Sequence, residues 1–166
     1  QSLTRLHLST FARPPQPLLD RLPPQIVDLL LATSSGQTIT RFAVGSDLTK
    51  VTFVQQTTVE VETLQNLPKT LAALSIRPTT RHATPISGMP AVLPARLVVH
   101  LPSTLTSLVV PTHTLWTPEV ATLLPRSLTL LDARRWYNLD DDALSKLPEK
   151  LTSLYISGNS DNVSDK

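Results

Sequence analysis

Leu101-Pro102-Ser103-Thr104-Leu105-Thr106-Ser107-Leu108-Val109-Val110 is one of four near copies of a single phrase, the others running over 67–76, 124–133 and 147–156. Their common form is LPxxLxxLxΦ, with Φ aliphatic. Such a repeat decides the reading of the whole chain, because each copy is one structural unit. The phrase ends in period-two alternation, the pattern of a short strand with one buried face. Leu108 and Val110 then point inward and Val109 outward. One strand of this length has nothing to bury its apolar face against. Units laid side by side about 4.8 Å apart make a parallel sheet over a continuous core.

Working outward, the first Leu after LPxx marks the phase at Leu71, Leu105, Leu128 and Leu151, with weaker copies at Leu3, Ile26 and Leu48. The spacings are 23, 22, 23, 34, 23 and 23 residues, which predicts about seven units in one domain over 1–166. The unit over 32–47 is irregular: Ile39 to Val44 alternates like a strand, and a hairpin with Ile26 to Leu31 around Ser35-Gly36 is one expectation. The long interval holds an insertion within 77–100, punctuated by proline and expected to be an exposed loop, with Arg77, Arg81 and His82 as its candidate recognition residues. The chain starts on a strand and stops in a loop, and neither end carries the polar cap an array needs. The expectation is a section of a longer polypeptide, or one meeting further repeats or subunits at both open ends.

Ahead of each LP pair lies a short helical segment. Asn138 to Lys146 opens on Asp140, Asp141 and Asp142, which complement a helix dipole and are read as a helix start rather than a cation site. Thr117 is the candidate N-cap of a second, with Pro118 at the first helical position, where its missing amide costs nothing. The proline of LP then ends each helix and returns the chain to a strand.

At Leu151-x-x-Leu154-x-Ile156-x-x-Asn159 the phrase resembles the signature of the leucine-rich-repeat family. The LP pair is similar to bacterial LPX-type repeats of secreted effectors and to LP-containing protist repeats, including the FNIP group. The resemblance implies an α/β solenoid, a right-handed superhelix with short parallel strands on the concave face and short helices or 3₁₀ turns on the convex one. It also implies an Asn ladder between turns, and here the chain departs from it. That column reads Phe11, Ser34, Gln56, Thr79, His113, Trp136 and Asn159, so other donors must replace the amides.

Composition narrows the function. Apolar residues make up 40% of the 166, aromatics 4%, and 30 positions are Leu, a core of one aliphatic type that suits a repeat better than an enzyme. No cysteine is present, so disulfides, thiolate metal sites and thiol nucleophiles drop out together; this fits a reducing, cytoplasmic setting without fixing one. No apolar run reaches the roughly 20 residues of a membrane-spanning helix. The four histidines, His7, His82, His100 and His113, lack the spacing of a metal pair, and neither a phosphate-binding glycine loop nor a serine elbow occurs. No catalytic, cofactor or metal residue is therefore singled out. A net charge of +2 argues against a nucleic-acid binder, although Arg134-Arg135 before Trp136-Tyr137 pairs basic with aromatic groups.

The outward columns of the strands are the better candidates for function. They read Thr4, Val27, Thr49, Ala72, Thr106, Thr129, Thr152; then Arg5, Asp28, Lys50, Ala73, Ser107, Leu130, Ser153; then His7, Leu30, Thr52, Ser75, Val109, Asp132, Tyr155. The later units offer a mildly apolar floor at Val109, Leu130 and Tyr155 beside Asp132, Arg134 and Arg135. Aromatic and aliphatic anchors with sparse charge suit a protein or peptide partner. The expectation is a non-enzymatic interaction scaffold without a small-molecule substrate. The alternatives are the substrate-recognition domain of a larger enzyme, such as a ubiquitin-ligase effector, and a structural subunit of a large assembly.

Overall fold

The computed structural model describes residues 3–10, 16–33, 42, 47–54, 61–77, 98–110, 117–134 and 140–156. Seven strands, β1 (Arg5–Thr10), β2 (Asp28–Thr33), β3 (Lys50–Val54), β4 (Ala73–Arg77), β5 (Ser107–Val109), β6 (Leu130–Asp132) and β7 (Ser153–Tyr155), form one open sheet in chain order. All six pairings are parallel. Among the described residues, short helices lie between them: α1 (Gln16–Leu19), α2 (Val61–Gln65), α3 (Pro118–Leu123) and α4 (Asp141–Ser145). The architecture is thus a repeat-like parallel sheet with short helices, and no helix of the described residues is long and apolar enough to cross a membrane.

The register follows the phrase. Leu6, Leu29, Val51, Leu74, Leu108, Leu131 and Leu154 pair in succession across the sheet. All but the two at the ends are buried, and one apolar cluster joins them to Leu64 of α2, Val120 of α3 and Ala143 of α4. The core therefore lies between one sheet face and the helices. Burying a leucine of this row contributes about 1.5–3 kcal/mol, which no unit could supply without its neighbours. β2 has both edges taken by β1 and β3, so the expected hairpin with Ile39 to Val44 has no free edge on β2 to form on. Of that segment only Phe42 is described; it is buried, its ring 6.4 Å from that of Phe53.

Local chemistry explains the turns. In each LPxxL the proline carbonyl accepts from the amide three residues on, as in Leu71 N–H to Pro68 O at 3.0 Å and Leu105 N–H to Pro102 O at 3.0 Å. A helix closed by proline thus turns at once into the next strand. Thr117 caps α3, its hydroxyl accepting from Val120 N–H, with Pro118 in the first turn; Asp140 caps α4, Oδ1 2.8 Å from Ala143 N.

Between units run two ladders of hydroxyl groups. On the open edge of the sheet, Thr49, Thr106, Thr129 and Thr152 donate Oγ1–H to the carbonyls of Val27, Ala72, Thr106 and Thr129 at 3.1–3.2 Å. One turn earlier, Thr70, Thr104 and Ser127 reach the carbonyls of Leu48, Leu71 and Leu105 at 2.6–2.9 Å. The column headed by Thr4, expected to be part of an outward binding floor, is instead largely spent on these bonds. The reason is geometric: its carbonyls already accept two amides of the next unit, as Thr106 O does from Thr129 and Leu130, and the threonine hydroxyl of that unit completes the contact. The residues of the Asn column lie outside the described set.

Candidate functional site

The face of the sheet turned away from the helices changes character along its length. On β1 to β3 it is charged and internally paired: Asp28 Oδ2 stands 3.7 Å from Arg5 Nε and 3.2 Å from Lys50 Nζ. Both cations pair with the one carboxylate across adjacent strands, an arrangement that leaves the trio with a net charge of +1. Thr52 and Ser75 follow in the central row, both buried although they stand on the outer face.

Beyond them, β4 to β7 enclose a hollow of about 320 Å³. Its floor is Ser107 and Leu130 from one register row and Val109, Asp132 and Tyr155 from the row two residues further along. Arg77 and Arg134 close its C-terminal side. Five of the residues expected on this surface, Val109, Leu130, Asp132, Arg134 and Tyr155, are thereby brought together. Arg135, Arg81 and His82 lie outside the described residues. Arg77, expected in the insertion loop, is instead the last residue of β4, because it still pairs in register with Val54 of β3. Ser107 was not singled out; its signal was its place beside Leu130 in the same column.

Asp132 organises the hollow electrostatically. Its side chain keeps 11% of its exposure, and it accepts from Arg134 Nε at 2.9 Å and Nη2 at 2.6 Å, a side-on bidentate pair. Those bonds hold its carboxyl below the ordinary carboxylate value; burial opposes them, and the charges of Arg134 and Arg77 add to the lowering. The same pair raises Arg134 further above its usual range. Arg77 makes the analogous reach, Nε donating to Ser75 Oγ at 3.0 Å, also two residues back on its own strand. Tyr155, at 52% exposed, and half-buried Leu130 and Val109 supply apolar surface beside these cations.

A carboxylate held ionised by a guanidinium is a weak proton acceptor, since its conjugate acid forms only in strongly acidic solution. Asp140 lies elsewhere and is spent on the cap of α4. Among the described residues, no three His, Asp or Glu side chains converge as a metal site would require. No family model matches the chain, and no curated protein or solved structure is similar to it.

Proposed function

We propose that this chain is a leucine-rich-repeat solenoid, a right-handed superhelix with its strands on the concave face, acting as a non-enzymatic scaffold that binds a protein or peptide there. The fold part rests on seven parallel strands in chain order, on the recurring LPxxL turn and on ladders that tie each unit only to its neighbour. The functional part rests on one observation: the hollow over β4 to β7 gathers an aromatic ring, two aliphatic side chains and two guanidiniums. Tyrosine and arginine are among the residue types on which binding energy concentrates in interfaces.

The test is selection of short peptides from a displayed random library on the intact chain, followed by amide chemical-shift mapping. Selected peptides should shift Val109, Leu130 and Tyr155 and lose binding to a Leu130→Glu/Tyr155→Glu double variant. Peptides that bind the double variant as well as the original chain would place the binding surface elsewhere and overturn the reading.

A further inference from the structure

Two guanidiniums set the chemistry of whatever enters the hollow. Ser75, Val109 and Asp132 are register partners, and Arg77, the last residue of β4, and Arg134, just past the end of β6, each lie two residues further along units two strands apart. At the usual inter-strand spacing that is about 10 Å between backbones, a gap two arginine side chains can close around one small anion. Each is held by a bond that leaves part of its fork free: Arg77 gives Nε to Ser75, and Arg134 gives Nε and one Nη2 proton to Asp132. Both terminal nitrogens of Arg77 and Nη1 of Arg134 make no hydrogen bond among the described residues. Among the described residues lining the hollow, these two cations face the single carboxylate of Asp132, so one positive charge is uncompensated. On β1 to β3 two cations likewise meet one carboxylate, but there both Arg5 and Lys50 pair directly with Asp28, whereas in the hollow the ion pair among the described residues is that of Arg134 with Asp132.

We propose that the hollow takes the carboxylate of an Asp or Glu side chain on the partner peptide. That carboxylate sits between the terminal nitrogens of Arg77 and Arg134, and an apolar neighbour of the acid lies over Val109, Leu130 and the Tyr155 ring. Planar guanidinium forks match carboxylates bidentately, whereas an amide of the same shape offers one neutral acceptor. The proposal rests on the reading of this face as a peptide-binding surface and adds the chemistry of the residue it selects.

Two pools of short synthetic peptides, identical in their randomised apolar and polar positions, with Glu fixed at the centre of one and Gln at the centre of the other, decide it. The Glu pool should bind the intact chain about tenfold more tightly at low salt, and the difference should shrink as salt rises. Arg77→Gln should remove most of the preference; Arg77 is exposed and gives one hydrogen bond among the described residues, so the fold survives the change. An Arg134→Gln/Asp132→Asn double variant removes the second guanidinium without stranding a buried carboxylate and should act in the same direction. If both pools bind equally and both are lost on Leu130→Glu/Tyr155→Glu, the peptide surface stands and the acid preference falls. If neither pool binds, both readings fall. If a single-stranded oligonucleotide binds more tightly than the Glu pool with the same dependence on Arg77, the site is one for phosphodiesters and the proposal is overturned.

Discussion

The Asp132 carboxylate, at the end of β6, lies side-on against Arg134 two residues further along the chain, with both oxygens engaged at 2.9 and 2.6 Å. The contact holds the Asp132 carboxyl below its ordinary value of 3.8. A carboxyl lowered on folding adds stability that is present above the unfolded value and is lost as pH falls through the folded one. The Asp132 contribution should therefore be constant through neutral pH and disappear only in acid, below the ordinary carboxylate range. Thermal unfolding of the original chain and of Asp132→Asn, followed from neutral pH into acid, checks this. The two melting temperatures should converge at the acid end, and a gap unchanged down to full protonation would detach the stabilisation from the charge.

Core rows set a second expectation. Leu108 is 1% exposed and sits mid-sheet between Leu74 and Leu131, whereas Leu154 on β7 is half-buried. Leu108→Ala removes buried methyls and leaves a cavity, costing roughly 2–5 kcal/mol. Leu154→Ala should cost less than about half of that, since part of its surface already meets solvent. Urea titration read at constant slope gives both values. Equal losses would mean that β7 is covered as fully as β5.

The hydroxyl ladders divide by burial. Ser127 and Thr104 bond carbonyls in part-buried surroundings, Ser127 Oγ at 2.6 Å from Leu105 O and Thr104 Oγ1 at 2.8 Å from Leu71 O. Ser127→Ala and Thr104→Val should each cost about 0.5–1.5 kcal/mol, because the carbonyls left behind lose a partner that water replaces poorly. Thr129→Val, on the exposed ladder, should change stability by less than about 0.5 kcal/mol, since water takes the place of the hydroxyl and Val keeps the β-branched shape. The reverse order would make the outer ladder the one that joins the units.

What was legible in the residues, and what was not, follows from the range of each interaction. The row from Leu6 to Leu154 and the row from His7 to Tyr155 were readable because period-two alternation fixes facing and the repeat fixes register. The cap at Thr117 was readable because it acts on an amide three residues away, and Asp140, read as part of an acidic helix start, makes the same kind of bond as the cap of α4. The hydroxyl ladders were not: a threonine that bonds the neighbouring unit has the same local pattern as one that merely favours a strand. Arg77 was misplaced for a similar reason. The proline that follows it resembles a loop start, and only its return to Ser75 and its place beside Arg134 in the lining assign it to the hollow.

The acidic run at the start of α4 gives the last expectation. Asp140 Oδ1 accepts from Ala143 N–H at 2.8 Å, while Asp142 pairs only loosely with Lys146 at 3.8 Å on an exposed surface. Asp140→Ala leaves a first-turn amide without its acceptor and should lower stability by about 0.5–2 kcal/mol. Asp142→Ala should cost no more than about 0.5 kcal/mol, the usual worth of an exposed ion pair one turn apart. Asp140→Asn keeps an oxygen at the same place and should recover most of the loss, which separates the hydrogen bond from the charge. The three variants, melted with and without added calcium, distinguish a cap from a cation site. A cap predicts the order Asp140→Ala, then Asp142→Ala close to Asp140→Asn, unchanged by calcium. A melting temperature that rises with calcium in the original chain and fails to rise in Asp142→Ala would assign the run to metal binding instead.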